Sequence, residues 1–293
     1  MTEPPADPPA YDDSAASAGA LRSPPTGRWA GCTSIRAGAW RIDIAALTDA
    51  GPVRRRNEDA VAVLPELGLA LVIDGYHGMR AGVAATTTTV DVMTAELAAS
   101  VGQPAGARLI TAFRAASHAI VRAAAADDAR QGSGATALAA LFEPGAVTIA
   151  HIGECRAYLG RGGAMTAVTR DHDLVNLLAD HGQPVPEAYA HSHVIVRSLG
   201  MSAVDPDVEV QTLALAPGDR LILCTDGIHS PTGGDGRKAL DVAAICAGAH
   251  GETPRTAVAD ALLTTAMLQG SDNATVLVAE VKLAGFPPPG DLA

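Results

Sequence analysis

The sequence predicts an α+β protein in which antiparallel sheets carry helices packed on their outer faces. Three observations predict this. Between residues 41 and 283 the apolar positions recur with two periods, one of strands and one of helices. The tight-turn signals EPGA (143–146) and GRGGA (160–164) join strand candidates directly, a connection open only to antiparallel neighbours. The long helix candidates fall in pairs instead of alternating singly with strands, so the pattern is not that of β-α-β units.

Taken in order, residues 1–40 carry six prolines within the first 25 positions, with Ala, Ser, Asp and Gly and almost no aliphatic pattern, and are expected to form a disordered tail. The folded domain is expected over 41–283 and a second short tail over 284–293. Within the domain, runs rich in Val, Ile, Leu and Ala predict strands at 41–47, 60–64, 69–73, 135–142, 146–152, 156–160, 164–169, 193–198, 208–215, 219–225 and 274–283. Helices are expected at about 81–100, 106–126, 172–181, 237–248 and 254–269. The four threonines from Thr86 to Thr89 favour a strand by β-branching. The 20 or so residues around them repeat apolar and small positions at helical spacing, which predicts a helix.

Composition narrows the function. With 32 acidic against 21 basic residues the net charge is −11, leaving no basic excess to displace counterions from nucleic acid. No apolar run approaches the roughly 20 residues that cross a bilayer, and the N-terminus has neither a basic start nor an apolar signal core. Cys32, Cys155, Cys224 and Cys246 show no close spacing, which suggests neither a disulfide framework nor structural zinc. A soluble, cytoplasmic protein without nucleic-acid or membrane partners is expected.

Four acidic signals share one placement, at the ends of apolar strands: Asn57-Glu58-Asp59, Asp74-Gly75, Asp226-Gly227 and Asp272-Asn273. A carboxylate beside a core is costly unless a cation or a donor compensates it. Magnesium and manganese take oxygen ligands and supply that compensation. Gly75 and Gly227 have no Cβ, so their backbone can turn sharply or approach a metal. Each dipeptide alone is an ordinary turn signal. Beside the first lies Arg54-Arg55-Arg56, and a guanidinium fork matches phosphate oxygens. Metals with an arginine fork describe a phosphate-ester site; a solvated charge cluster is the plain alternative for Arg55 and Arg56.

In this order the motifs RRRNEDA, VIDGYHG, HIGECRAYL, TRDHDLV, LCTDGI and GSDNATV, with GSGATALAAL and VIVRSLG, resemble the metal-dependent serine/threonine protein phosphatases (PPM, or type 2C), and the resemblance spans about residues 43–281. It implies a central β-sandwich of two antiparallel sheets flanked by paired antiparallel helices. It implies two manganese or magnesium ions, held by Asp74, the Gly75 carbonyl, Asp226, Asp272 and Glu58. Asp74 would bridge the ions and Arg54 would bind the substrate phosphate. Asn57, Asp59 and Asn273 would orient turns. A water activated between the cations would attack phosphorus in line.

Two departures from the family pattern stand out. Asp74-Gly75 is followed by Tyr76 and His77; His77, one residue later than the histidine of eukaryotic members, is a candidate general acid or a loop filler. The family's Gly-Asp-Ser-Arg is here Gly153-Glu154-Cys155-Arg156, so a third, weaker metal site would depend on Glu154, with Arg156 a structural ion-pair partner. His172 reads as part of a helix cap, and His118, His151, His181, His229 and His250 carry no constellation. The segment from His172 to Ser198 corresponds to the family's flap. Three readings follow: a monomeric phosphatase acting on phosphoproteins and opposing Ser/Thr kinases, a catalytically silent domain that binds a phosphoprotein or regulatory partner, and a small-molecule phosphoesterase.

Overall fold

The computed structural model describes residues 19–24, 27–76, 81–186, 194–229, 242, 255–270 and 272–284. Two six-stranded antiparallel sheets face one another. The first contains β1 (Leu21–Arg22), β4 (Ala60–Leu64), β5 (Leu69–Tyr76), β6 (Gly134–Glu143), β7 (Ala146–Ile152) and β10 (Glu209–Ala214), in that spatial order. The second runs β2 (Trp29–Ala37), β3 (Trp40–Asp49), β12 (Ala274–Leu283), β11 (Arg220–Cys224), β8 (Arg156–Arg161) and β9 (Ala164–Ala167). Helices α1 (Ala81–Ala99) and α2 (Ala105–Ala126) cover the outer face of the first sheet, and α5 (Arg255–Gln269) covers the second. Two short helices, α3 (Leu174–Asp180) and α4 (Asp226–His229), complete the described set. Among the described residues no helix is long and apolar enough to cross a membrane.

Strand β6 shows why the sequence gives layers. Its first nine residues are all buried, because both of its faces are covered. Leu138, Ala140 and Phe142 point between the sheets with Val72, Leu223 and Leu277. Ala135, Ala137, Ala139 and Leu141 alternate onto the other face and meet Leu97, Leu109 and Phe113 of the helices. Period-two side-chain alternation thus feeds two cores at once. A third core lies between Ile222, Val276 and Val278 of the second sheet and Leu262, Leu263 and Ala266 of α5. The EPGA and GRGGA turns connect β6 to β7 and β8 to β9, with Gly145, Gly162 and Gly163 at positive φ as these tight turns require.

The threonine run is helical. Thr86, Thr89 and Thr94 donate their hydroxyls to the carbonyls of Val83, Ala85 and Val90 at 3.1, 2.8 and 2.7 Å, so the side chains satisfy themselves within α1 instead of drawing the backbone into a ladder. In the turn that follows, Arg108 of α2 donates to the carbonyl of Leu97 near the C-terminal end of α1 at 2.8 Å.

The structure corrects two expectations. The ordered region begins before residue 41: β2 pairs with β3 along its whole length, Trp29 to Thr48 through Ala37 to Trp40, and β1 pairs with β4. Small and polar residues hide β2 from an apolar count, yet Thr33, Ile35 and Ala37 alternate into the interior. The second correction concerns 193–198. From Val194 on, this stretch is extended but joins no sheet; it makes isolated bridges, Asp173 with Ile195 and Ala135 with Leu199 nearby, and runs as a strap across the first sheet's end. Residues 1–18 and 285–293, His77, His193 and all of the expected 237–248 helix except Val242 lie outside the described residues.

Candidate metal and phosphate site

At one end of the sandwich, strands from both sheets deliver carboxylates to a common point. Asp74 ends the apolar part of β5, opposite Thr136 of β6. Asp226 opens α4 two residues after β11 closes. Glu154 sits in the turn between β7 and β8 and is buried. Oxygens of these three carboxylates lie within 4.8 Å of one another. Glu58 approaches from the segment before β4, with Oε1 buried and without a hydrogen-bond partner among the described residues. Asp272 stands on the rim, where its Oδ2 accepts from the Arg54 guanidinium at 2.7 Å.

Close glycine packing allows this convergence. A Cβ at Gly75 would lie 2.6 Å from the Gly82 carbonyl and 2.9 Å from that of Glu58. One at Gly227 would fall 1.9 Å from the carbonyl of Asn273. Only a residue without a side chain fits either place.

Beneath the carboxylates runs a buried hydrogen-bond chain. Asn57 Nδ2 donates to Thr48 Oγ1 at 2.7 Å, and the Thr48 and Thr275 hydroxyls are 2.6 Å apart. Thr275 and Thr225 both donate to Asp59 Oδ2, at 2.7 and 2.8 Å. Asn273 binds three segments together: it accepts from the Glu58 amide at 2.8 Å and donates to the carbonyls of Ala50 and Arg56, both at 2.8 Å. Asn57, Asp59 and Asn273 therefore tie together the segments that carry Glu58, Asp226 and Asp272.

The electrostatics are those of a cluster built for cations. Burial, followed by the fields of Asp59, Glu154 and Asp272, holds the Asp74 carboxyl well above its usual range. Burial and the charges of Asp74, Glu154 and Asp272 do the same to Asp226. Burial pushes Asp59 up to about 7 against the two threonine hydroxyls, and it raises Glu58 despite the opposing charge of Arg54. Converging carboxylates match hard divalent cations, which take oxygen ligands and whose charge cancels the mutual repulsion.

Of the residues singled out from sequence, Asp74, Glu154 and Asp226 come together, Gly75 and Glu58 flank them, and Arg54 with Asp272 form the rim pair. The longer stem of Glu154 keeps its carboxylate in the cluster. Arg156 forks onto Asp171 at 2.8 and 2.6 Å, the structural role expected. Cys155 is buried beside Thr136, and burial and Asp74 push its thiol well up, which leaves it a poor nucleophile. His77 lies outside the described residues. The Tyr76 hydroxyl meets Ser198 Oγ on the strap at 2.5 Å, seated on bare backbone at Gly134.

Sequence reasoning missed several residues. Thr48 and Thr275 are directly paired across β3 and β12, a relation no local pattern reports. His229 Nε2 lies 3.0 Å from the Glu154 carbonyl. The cap of α3 is Asp173, which accepts from the Asn176 amide at 2.7 Å, while His172 turns inward and stacks on His151 with centroids 4.6 Å apart. The one available signal for His172 was its place in TRDHDLV.

The fold is that of the protein phosphatase 2C family, whose model matches residues 54–256. The chain belongs to that family. It is 35% identical over 246 residues to the serine/threonine protein phosphatase PstP of Mycobacterium tuberculosis, an alignment covering 81% of this chain and 44% of that protein. It is 30% identical to the serine/threonine phosphatase stp of Listeria innocua, over 62% of this chain and 75% of that one. The crystal structure of the PstP catalytic domain in complex with two manganese ions superposes with a TM-score of 0.69 at 31% identity, covering 83% of this chain and 99% of that domain. This chain thus spans less than half of full-length PstP.

Proposed function

We propose that this chain is a manganese- or magnesium-dependent phosphatase that hydrolyses phosphoserine and phosphothreonine in proteins. The observation that carries the reading is the convergence of oxygens of Asp74, Glu154 and Asp226 within 4.8 Å, with a buried Glu58 oxygen that has no partner among the described residues and a half-exposed Arg54 held by Asp272. Asp74, Asp226, Asp272, Glu58 and the Gly75 carbonyl would hold two cations, with Glu154 contributing to a weaker third. When bound, such ions supply an activated water and neutralise charge on the phosphoryl group.

The chain's own residues do the rest. Arg54 reaches Asp272 through Nη2, and its remaining donors meet phosphate oxygens and orient the ester. The apolar strands behind Asp74 and Asp226 fix both carboxylates, so little reorganisation accompanies reaction. The names of the relatives from Mycobacterium tuberculosis and Listeria innocua, each a serine/threonine phosphatase, support a phosphoprotein substrate, and hence a role that reverses a Ser/Thr kinase. We extend the reading to a monomer acting in the cytoplasm.

The test is hydrolysis of an aryl phosphate and of a phosphothreonine peptide. Manganese should activate both reactions, chelator should abolish them, and Asp226→Ala should lower kcat by at least about 100-fold. Turnover indifferent to chelation, or unchanged in that variant, refutes the metal mechanism. Tight manganese binding without turnover of either substrate would instead support a silent binding domain.

A further inference from the structure

The turn that presents Glu154 is clamped by an imidazole to which the catalytic reading gives no part. His172 makes two bonds to Gly153: its amide donates to the Gly153 carbonyl at 2.9 Å, and its ring Nδ1 accepts from the Gly153 amide at 3.1 Å. Gly153 has φ +97, and a Cβ there would meet Thr136 at 2.3 Å, so the turn has little room to relax. The carbonyl of His172 accepts from Val196 of the strap at 2.8 Å. Its Nε2 faces Glu209 Oε2 at 3.3 Å, and Glu209 lies directly across from His151 in the β10–β7 ladder.

These bonds fix the tautomer. A nitrogen that accepts from an amide carries no proton, so the neutral ring holds its proton on Nε2, where Glu209 accepts it. The stacked His151 spends its own Nε2 on the Arg170 carbonyl at 3.0 Å. Burial depresses both imidazoles, consistent with neutral rings. The same bonds disfavour a metal at this second cluster, although His151, His172 and Glu209 have ligand atoms within 4.8 Å of one another. A cation on His172 Nε2 would move the ring proton to Nδ1, head-on against the Gly153 N–H.

We propose that His172, oriented by Glu209, is a positioning residue that sets the Gly153-Glu154 turn and thereby the affinity of the cation Glu154 helps to hold. The proposal rests on Glu154 being a metal-holding carboxylate. It also links the flap to the site, because the same residue takes the strap's hydrogen bond and opens the segment that Asp173 caps.

The experiment is manganese titration of the full chain by calorimetry, with the manganese dependence of aryl phosphate hydrolysis alongside. Glu154→Gln should remove or weaken the weakest class of bound ion. His172→Phe keeps the ring that stacks on His151 but has no acceptor; it should weaken that same class about tenfold and leave the tighter ions unchanged. His172→Asn, whose amide oxygen takes the place of Nδ1, should return the constant to within about threefold of wild type. Adding His172→Phe to Glu154→Gln should change nothing further.

Unchanged binding in His172→Phe while Glu154→Gln weakens it overturns the positioning role, as does a His172→Asn variant no better than His172→Phe. Unchanged binding in Glu154→Gln overturns the reading of Glu154 itself, and the proposal with it. If His172→Phe does not melt cooperatively, Glu209→Leu, at a half-exposed position, decides: it should weaken the same ion about threefold, and no change refutes the proposal.

Discussion

Individual carboxylates at the site hold the chain in a conflict that cations resolve, and this has a consequence for pH. The carboxyls of Asp59, Asp74 and Asp226 are raised by burial first and by one another second. A group whose folded pKa exceeds its unfolded value stabilises the fold fully below the unfolded value, about 4 for Asp. That contribution is lost as pH climbs through the folded value, which for Asp59 is about 7. Chelated protein therefore carries the ionised, mutually repelling cluster at high pH. His151 and His172 are shifted the other way, so they stabilise above their unfolded value, but with and without metal alike. Manganese should therefore raise Tm more at about pH 8 than at about pH 5.5, because at the lower pH protons compete for the same oxygens. An equal or smaller rise at the higher pH, measured by differential scanning fluorimetry at fixed manganese, contradicts the account.

At the scale of elements, legibility followed locality. Strands such as β4, β5, β6 and β12 were readable because they are covered on both faces, so apolar content alone marks them. The α1 threonines were readable only through the periodicity around them, since their own propensity pointed the wrong way. Strand β2 was not legible: at a sheet edge, WAGCTSIRA fully buries only the alternate residues Thr33, Ile35 and Ala37, and pairing with β3 decides its state. The Asp-Gly and Asn-Glu-Asp signals gave the site carboxylates because backbone constraint and charge coincide within a few residues. The His172 clamp and the Thr48–Thr275 link join residues far apart in sequence, and no local pattern encodes such contacts. Helix packing gives a direct check on the outer layer. Phe113 of α2 is fully buried against the first sheet, so Phe113→Ala should cost about 3–5 kcal/mol, read from urea unfolding of the chelated protein. A cost below about 1 kcal/mol would mean that α2 contributes little to this core.

For the molecule as a whole, the question is where the folding unit begins. Residue 41 is the boundary that composition suggests, yet β1 and β2 lie before it. Strand β2 closes one edge of the second sheet, with Ile35 fully buried in the core between the sheets beside Ile42, Ile44 and Val281. The Thr33 hydroxyl reaches back to the carbonyl of Gly19 at 2.9 Å, so even the residues before β1 touch that edge. Cutting at 41 removes the ladder partner of β3 over nine registered pairs and opens the inter-sheet core at Ile42 and Ile44. Each large apolar side chain exposed costs roughly 1.5–3 kcal/mol, and several together approach the roughly 5–15 kcal/mol that hold a domain folded. A chain starting at residue 41 should therefore fail to melt cooperatively and should lose the manganese binding expected of the full chain, because β3 carries Thr48 under the site. Equal melting of the full chain and the shortened one would show that β2 is dispensable and return the boundary to residue 41.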